Sequence, residues 1–497
     1  MPTPLGSRKQ VFIDWTLIDA GYGFVLKEGK GGTRHMPHGV RLTAHAPVFM
    51  PESTFPADQP WEDLFINAGY STLLQEEGRL RLYYETFSRR DRRSDLSARV
   101  CYAESEDGRR WRRDPLGLIE WDGARNNNIV YSKEIPGVIA AHGANIFKDP
   151  SAPPEERYKI IHVGPINIKG QIWPGVWASV SPDGLHWRPL DKPLMQHTSD
   201  TQNVIQYDAE AGLYRAFVRG IFPTQRSVRK GVHGRRAVDA AVTKDFRAWP
   251  EPEQVLAPAP DDAPDWDIYT NAYAKWPGAD AHLMFPACYS RGSDVMQVHL
   301  AVSRDGWHWS RPQKAPLLPA GEPGTMWQGG LYAGQGIAAL TETGLAKDHD
   351  SATLWAIPLA PILYTHNYVP PEDNFKTHLQ RGPWLATIRP DGFMSLSAET
   401  AGECWTYPIT WTGNRLRVNS WARGGGNVRV GFETKDGPVE GFTVDDCDPL
   451  EGDCLWKAVT WRGKAGVGAL ADRDVCLHLR LLRSRLHAFR FSSAGAP

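Results

Sequence analysis

The sequence predicts an all-β chain, a five-bladed β-propeller followed by a β-sandwich domain. The first observation is a phrase of the form S-x-D-G-x-x-W. It recurs as SEDGRRW at 105–111, SPDGLHW at 181–187 and SRDGWHW at 303–309, with a weaker copy, TKDFRAW, at 243–249. The copies follow one another at roughly 60 to 75 residues, which suits a four-stranded propeller blade with generous loops. The second observation is that no stretch carries a capped apolar stripe at helical spacing.

Each repeat contains the strands of one blade. Upstream of each phrase stand two β-type runs joined by a polar turn, and a third run such as GVWASVS leads into the phrase itself. The Asp of the phrase can cap its own turn and the Gly can adopt a positive φ, so the phrase is predicted to be a hairpin turn. The phrase therefore recurs because the blade recurs, and no chemical role is expected for it.

The two ends of the propeller are less regular. A fifth hairpin at 329–358 lacks the phrase, and the early strand QVFIDWTLID is predicted to close the ring. Residues 50–375 are therefore assigned to a propeller catalytic domain, and residues 1–49 to a segment that closes or braces it. Short alternating strands separated by turn signals predict a β-sandwich domain over 380–497.

The composition argues against several classes of protein. The chain has 497 residues, a net charge of −1 and a pI of about 7.0, so no basic surface for nucleic acid or an anionic membrane is expected. It has neither a run of about 18 apolar residues nor a signal-peptide core, which predicts a cytoplasmic protein. The six cysteines lack the spacing of a disulfide framework. The 20 tryptophans can fill β cores or stack on sugar rings.

Candidate functional residues stand just before the innermost strand of each predicted blade, at one mouth of the central channel. Signatures of nucleotide-binding proteins, zinc proteases and serine hydrolases are absent from the sequence. The predicted catalytic residues are Glu62, Asp200, Asp267 and Glu322, and the predicted substrate-binding residues are Asn128, His142, Gln202, Tyr269 and Trp327. No metal site and no cofactor are predicted, and a structural calcium is left open.

Carboxylates that converge on one cleft suit hydrolysis of a glycosidic bond. One carboxylic acid protonates the leaving oxygen, and another acts as nucleophile or as the base that activates water. Repulsion between nearby like charges raises the pKa of one of them, which supplies the acid at neutral pH. Amide and imidazole groups can bind hydroxyls, and aromatic rings can stack on sugar faces.

The repeated turns, the blade period and the trailing sandwich resemble the five-bladed propeller glycosidases, the superfamily of glycoside hydrolase families 32, 43 and 68. The segments FIDWTLID, YAESEDGRRWRRDPLGL, NNNIV, EERYK and RPDGFMSL resemble a large, mainly bacterial group of glycosyl hydrolases in it. The resemblance implies three acids, from the first three blades, as nucleophile or base, transition-state stabiliser and general acid. The W-M-N-D-P-N-G and E-C motifs are absent, and only Glu62 and Asp200 match in kind. Asp149 in FKDP falls at a hairpin turn and is not predicted to be catalytic.

The leading hypothesis is a glycoside hydrolase that acts on an oligosaccharide or on a polysaccharide chain end. The first alternative is a polysaccharide lyase, with His142 as base and an arginine as charge neutraliser. The second is a carbohydrate-binding protein without turnover. A carbohydrate is the expected partner, with no nucleic acid and no membrane, and a homo-oligomer is left open.

Overall fold

The computed structural model describes residues 2–20, 36–88, 97–226, 232–366, 382–471 and 473–493. The regular structure of these residues is almost entirely β, with four short 3-10 helices at Pro51–Ser53, Pro60–Glu62, Pro154–Glu156 and Gly468–Leu470. None of the helices in these ranges has the length and apolar character needed to cross a membrane.

The chain divides into two compact units. We call the first the propeller unit, made of Pro47–Lys275 and His282–Ile388. We call the second the terminal unit, because it combines Met1–Ala46 with Arg389–Pro497, together with Trp276–Ala281. Each unit has its own buried hydrophobic residues, so each can be described by itself.

Three blades of the propeller unit are separate antiparallel sheets. The strands of each blade are named from the innermost to the outermost. Blade 1 contains Phe65–Glu76, Arg79–Phe87, Arg99–Ser105 and Ile129–Tyr131. Blade 2 contains Asn145–Lys148, Tyr158–Ile168 and Gln171–Ser181, with Arg188–Pro189 and Met195–Thr198 both paired to the third strand. Blade 3 contains Val204–Asp208, Leu213–Arg226, Val232–Thr243 and Glu253–Leu256.

We call the next two sets of strands blades 4 and 5. One part of blade 4 is joined to blade 5, because Met296 pairs in parallel with Gly330, and the other part is a separate three-stranded sheet made of Tyr273–Lys275, His282–Met284 and Ala301–Ser303. Blade 4 contains Trp266–Ile268 and Tyr273–Lys275, then His282–Met284 and Ala287–Ser290, then Val295–Val298 and Ala301–Ser303. Blade 5 contains Gly330–Ala333 and Ala338–Thr341, the short Gly344–Leu345, then Leu354–Ile362, Trp384–Ile388 and Val48–Met50. The predicted all-β architecture with propeller-like blades is confirmed.

The strand that completes blade 5 is not the predicted one. Val48–Met50 pairs with Trp384–Ile388, whereas Gln10–Val11 from the predicted closing strand pairs with Cys476–Ser492 in the terminal unit. Trp384–Ile388, which the sequence assigns to the start of the sandwich, instead forms the third strand of blade 5. A short apolar strand fits any open sheet edge, so its own pattern does not reveal which edge it joins.

Hydrophobic packing and side-chain hydrogen bonds tie neighbouring blades together. Four hydrophobic clusters each combine strands of adjacent blades. Five hydrogen bonds between blades complete the circuit: Ile146 N to Thr72 Oγ1, Ile205 N to Asn145 Oδ1, Asn271 Nδ2 to Phe217 O, Gln335 Nε2 to Tyr273 O, and Ala339 N to Gln75 Oε1. The side chains in these bonds belong to innermost strands or the residues beside them, so the inner strands are held at fixed spacing.

The repeated phrase forms the same hydrogen-bonded turn in blades 1, 2 and 4. In blade 2, the backbone amides of Leu185 and His186 donate to Asp183 Oδ1 at 2.8 and 2.9 Å, and Ser181 Oγ accepts from Gly184 N at 2.9 Å. The copies at Asp107 and Asp305 repeat this pattern. The phrase is therefore a structural turn, as its sequence predicts.

The terminal unit is built on one seven-stranded sheet and one two-stranded sheet. The larger sheet contains Arg41–Ala44, Met394–Trp405, Cys476–Ser492, Arg415–Thr434 and Gly437–Pro438, with Gln10–Val11 and Asp453–Ala458. The smaller sheet pairs Thr3–Gly6 with Ile409–Trp411. The long strands of the larger sheet change register at bulges, between Ala398 and Ala401 and between Ala422 and Asn427, which lets these strands bend around the core. A buried ion pair, Lys9 Nζ to Asp391 Oδ1 at 2.7 Å, lies in this unit.

Candidate active site

A cluster of polar and aromatic side chains lies where the innermost strands of the propeller unit begin. All five blades contribute to it, because each blade starts with a loop that turns into its innermost strand. We call the following set the inner-strand cluster: Asn67, Tyr70, Glu85, His142, Asp200, Thr201, Arg219, Tyr269 and Tyr332. Among the predicted site residues, it includes His142, Asp200 and Tyr269.

Glu85 is a fully buried carboxylate near the end of the second strand of blade 1. Its Oε1 accepts a hydrogen bond from the Asn67 amide at 2.7 Å and lies 3.1 Å from His142 Nδ1. Its Oε2 accepts from Gly143 N at 2.7 Å. Gly143 has a φ of +68°, and a Cβ there would lie 2.6 Å from the Thr201 carbonyl oxygen, so glycine is required. A neutral imidazole that donates from Nδ1 to Glu85 keeps Nε2 as its acceptor nitrogen.

Asp200 and Arg219 form an ion pair in blade 3. The Arg219 side chain is only 4% exposed, whereas the Asp200 side chain is 49% exposed. A second Arg219 nitrogen donates to the Tyr269 carbonyl at 2.9 Å, and the guanidinium lies 4.5 Å from the centre of the Tyr269 ring. A buried arginine thus holds the carboxylate from the protein side, while solvent reaches it from the other.

Three tyrosine rings complete the cluster. The Tyr332 ring lies 6.5 Å from the Tyr70 ring and 6.1 Å from the Tyr269 ring, and the Tyr70 ring lies 5.2 Å from His142. Gly69 allows this packing, because a Cβ there would lie 2.8 Å from the Tyr332 ring. Burial raises the pKa of Tyr70 and Tyr332 above the usual range of a phenol, so both keep their protons.

Thr201 connects the two ends of the cluster. The Tyr70 hydroxyl lies 3.3 Å from Thr201 Oγ1, which donates to the Tyr269 carbonyl at 3.4 Å. The Glu85–His142 pair and the Asp200–Arg219 pair are therefore parts of one network. It combines carboxylates, an imidazole, protonated phenols and a guanidinium, groups that can bind hydroxyls and move protons.

Glu62 and Asn128 lie in a different buried network. Glu62 is 1% exposed; its Oε1 accepts from the Tyr84 hydroxyl at 2.7 Å, and its Oε2 lies 3.0 Å from an Arg113 nitrogen. Asn128 donates to Tyr84 at 2.8 Å and accepts from Trp61 at 2.8 Å. Burial raises the pKa of Glu62 to about 7, against the attraction of Arg113 and the Tyr84 hydrogen bond. The structure does not bring either predicted residue into the inner-strand cluster.

Asp267 is a buried carboxylate fully engaged by two arginines. Arg236 donates to it from the backbone at 2.8 Å and from a side-chain nitrogen at 2.9 Å. Arg291 adds two bonds, both 2.8 Å long. With 0% exposure and these partners, Asp267 ties strands of blade 4 to blade 3 and lacks the access that a catalytic acid needs.

The remaining three predicted residues also lie outside the cluster. Gln202 is buried and donates to the backbone carbonyls of Ser71 and Ala144 at 3.2 and 2.8 Å, so it braces the inner strands. Trp327 packs on Phe49 at 4.9 Å, near the outer strands of blade 5. Glu322 is exposed, and within the described ranges its side chain shares no hydrogen bond or ion pair with the cluster.

Sequence reasoning missed Glu85, Arg219, Tyr70 and Tyr332. Glu85 and Arg219 stand on second strands, in YYETF and FVRG, whereas the sequence predicts site residues only just before strands that are expected to be innermost. One of those strands, Ile129–Tyr131 after Asn128, is in fact the outermost strand of blade 1. A charged residue inside a run that is otherwise apolar is the signal that indicates them, because a buried charge needs a specific partner. Tyr70 depends on a bulge between Asn67 and Ser71, which no local pattern indicates.

No three His, Cys, Asp or Glu side chains of the described residues come together as a metal site. The described residues therefore contain no group of three such side chains that could bind the structural calcium considered from the sequence. Asp149 forms a buried ion pair with Lys159, with 2.6 Å between Oδ2 and Nζ, and accepts from the Tyr214 hydroxyl at 2.7 Å. These partners agree with the structural role predicted for Asp149.

Comparison with known proteins finds likeness only among solved structures. No family model and no curated protein matches the chain. An N-acetylgalactosamine deacetylase from F. plautii is 15% identical over 69% of this chain and 94% of that chain, with a TM-score of 0.44. A GH32 β-fructofuranosidase from Bombyx mori is 8% identical over 91% and 94%, with a TM-score of 0.41. The catalytic domain of a GH62 α-L-arabinofuranosidase from Coprinopsis cinerea is 10% identical over 71% and 98%, with a TM-score of 0.41. At these values the likenesses establish neither activity nor substrate.

Proposed function

We propose that the protein is a glycoside hydrolase that acts on an oligosaccharide or on a polysaccharide chain end. The observation that carries this proposal is the inner-strand cluster, in which a solvent-accessible carboxylate and a carboxylate–imidazole pair belong to one network. Glycosidic hydrolysis needs a nucleophile or base together with a proton donor, and this cluster offers both. Its tyrosines supply ring faces and hydroxyl donors for a sugar.

Asp200 is the proposed nucleophile or base. Its side chain is about half exposed, and Arg219 holds it in one orientation. A carboxylate in this position can attack the anomeric carbon or activate a water molecule. The distance to the proton donor in a sugar complex would decide between retention and inversion of configuration.

His142 is the proposed proton donor for the leaving oxygen. Glu85 is the residue that positions it, because its carboxylate lies 3.1 Å from Nδ1 and stabilises the imidazolium form. Proton transfer from Nε2 to the leaving oxygen would leave a neutral imidazole, and water would return the proton when the glycosyl group is released.

A panel of furanoside and pyranoside oligosaccharides, with reducing-end release as the readout, tests the proposal. Asp200→Asn and His142→Gln are each expected to lower kcat by at least about a hundredfold. Glu322→Gln is the matched acid-to-amide control, with wild-type turnover expected. Azide should restore turnover to Asp200→Ala if Asp200 is a nucleophile. Turnover at the wild-type rate by Asp200→Asn, or loss of turnover in Glu322→Gln, would contradict the proposed roles.

A polysaccharide lyase is the second candidate function. The observation that favours it is the combination of His142, protonated Tyr70 and buried Arg219, which can act as base, acid and neutraliser of a uronate carboxylate. A lyase acting on polyuronate forms an unsaturated product that absorbs in the ultraviolet, whereas a hydrolase forms a saturated one. Absorbance during digestion of pectin and alginate distinguishes the two reactions.

A further inference from the structure

A cleft of about 700 Å³ lies on blade 1, outside the inner-strand cluster. Its floor contains Ile119 and Arg99, which is 3% exposed, and Trp121 stands at its side. The hairpin that presents Trp121 is held by paired backbone hydrogen bonds between Trp121 and Ala124, at 2.9 and 3.0 Å. A cleft with this volume, with an aromatic side chain in its wall and charged groups around it, has room and hydrogen-bonding groups for a polar small molecule.

The cleft adjoins the inner-strand cluster through a shared pair of strands. Arg99 pairs with Thr86 across the second and third strands of blade 1, and Val100 pairs with Glu85. On the other side, the Phe87 ring lies 6.5 Å from His142. A chain of sugar units bound near His142 would therefore pass the end of the second strand, at Phe87, to reach the cleft.

The charges around the cleft favour an uncharged ligand. Its lining combines two arginines with three carboxylates: Arg99, Arg125, Glu120, Asp122 and Glu134. Arg99 and Glu134 approach to 3.9 Å, as do Arg125 and Glu120, so positive and negative groups are interspersed. An anionic sugar would meet more carboxylates than guanidinium groups, whereas neutral hydroxyls can use both as hydrogen-bond partners.

We propose that this cleft is a distal subsite that binds a neutral sugar unit of the substrate, with Trp121 as its stacking platform. The Trp121 ring packs edge-on against Trp61 at 6.1 Å, which fixes its orientation. The proposal rests on the proposed glycosidase function. It implies that long neutral substrates bind more tightly than short ones, because only they reach from His142 to Trp121.

The test compares a neutral linear pentasaccharide, chosen from the panel, with the matching 4-nitrophenyl monosaccharide glycoside. Trp121→Ala is expected to raise KM for the pentasaccharide roughly tenfold. Hydrolysis of the glycoside should remain unchanged. Trp15→Ala, at an exposed tryptophan of the terminal unit, is the matched control and should alter neither substrate. Arg125→Ala, a change at an exposed rim residue that folding tolerates, should raise KM for the pentasaccharide about threefold.

Calorimetry separates failure of the subsite from failure of the glycosidase function. Asp200→Asn should bind the pentasaccharide, and adding Trp121→Ala should weaken that binding roughly tenfold. Unchanged pentasaccharide affinity, or an equal loss on both substrates, would overturn the subsite while the Asp200 results stand. If wild-type protein hydrolyses no sugar, Trp121-dependent binding still supports the subsite, and absence of binding overturns it.

Discussion

At the scale of single residues, the surroundings of each carboxyl group decide what it can do. Asp200 is half exposed beside one arginine, Asp267 is enclosed by two, and Glu62 is buried beside Tyr84 and Arg113. Only Asp200 combines a charge with access for a substrate. The other two affect the stability of the fold. Loss of the negative charge favours folding at Glu62, where burial raises the pKa, and opposes folding at Asp267, which is paired with two arginines.

Glu62→Gln should remove a pH dependence of folding stability. The pKa of Glu62 is raised by burial to about 7, so the folded protein holds this proton more tightly than the unfolded chain does. Stability from this group is therefore present below about pH 4.5 and is lost as the pH rises through about 7, by roughly 3 kcal/mol in total. Urea unfolding midpoints at pH 5 and pH 8 should differ less in Glu62→Gln than in wild type.

Glu104→Gln is the control for this measurement. Partial burial opposes ionisation of Glu104, yet hydrogen bonds from Arg79 and Tyr102 keep its pKa below the usual range. Because the pKa of Glu104 is lowered, its titration moves away from the range between pH 5 and pH 8, so the stability difference between these two pH values should stay as in wild type. An unchanged pH dependence in Glu62→Gln would show that Glu62 is ionised in the folded protein throughout this range.

Asp267→Asn should destabilise the propeller unit strongly. Removal of the negative charge leaves Arg236 and Arg291 facing each other without a carboxylate. Breaking a buried ion pair in this way costs about 3–5 kcal/mol. Thermal unfolding followed by circular dichroism measures the loss, and Glu322→Gln, at an exposed position, should shift the midpoint very little. If Asp267→Asn lowered the unfolding midpoint as little as Glu322→Gln does, water molecules would be solvating Arg236 and Arg291 in place of the carboxylate.

At the scale of elements, the blade turn depends on a glycine for two reasons. The backbone has a positive φ at this residue, and the residue lies close to the side chain of Tyr83. Gly184 follows Asp183 in the SPDGLHW turn and has a φ of +81°. Partial burial disfavours the charge of Asp183, but hydrogen bonds from His186, Leu185 and Ser181 outweigh it and lower the pKa to about 2. The turn thus combines a backbone conformation with a charge-assisted cap, and its equivalents recur in blades 1 and 4.

Gly184→Ala should cost more stability than Gly170→Ala, although the two glycines have nearly equal φ values of +81° and +83°. A Cβ at 184 would lie 2.5 Å from the Tyr83 hydroxyl, whereas a Cβ at 170 meets no atom within 4 Å. Backbone strain alone predicts about 1 kcal/mol for Gly170→Ala, and the added clash predicts roughly 2–3 kcal/mol for Gly184→Ala. Equal losses in urea unfolding would indicate that Tyr83 moves aside without cost.

At the scale of the whole molecule, distant parts of the chain complete both units. Val48–Met50 supplies the outer strand of blade 5, and Arg41–Ala44, a few residues earlier, pairs with Met394–Trp405 in the terminal unit. Pairings between residues so far apart in sequence lose much chain entropy before contacts form, which predicts slow folding.

A fragment of residues 47–388 should therefore behave differently from one of residues 52–388. The shorter fragment lacks Val48–Met50 and exposes the edge of Trp384–Ile388, so it should associate or aggregate, whereas the longer one keeps that edge covered. Size-exclusion chromatography with light scattering, at matched concentrations, measures the difference. If both fragments stay monomeric, another part of the fragment covers the edge.

The sequence by itself determined the features that depend on local chemistry. The S-x-D-G-x-x-W turn, the β-rich blades and the structural role of Asp149 follow from short patterns, because turns and strand alternation are set by neighbouring residues. It also predicted Asp200, His142 and Tyr269 from their places just before innermost strands, and the structure brings these three residues into the inner-strand cluster. The tertiary structure alone decided which strand completes blade 5 and which acids are accessible. It assigned Glu62 and Asp267 to buried networks and brought Glu85 and Arg219 to the cluster, because burial and partner choice depend on residues far apart in sequence.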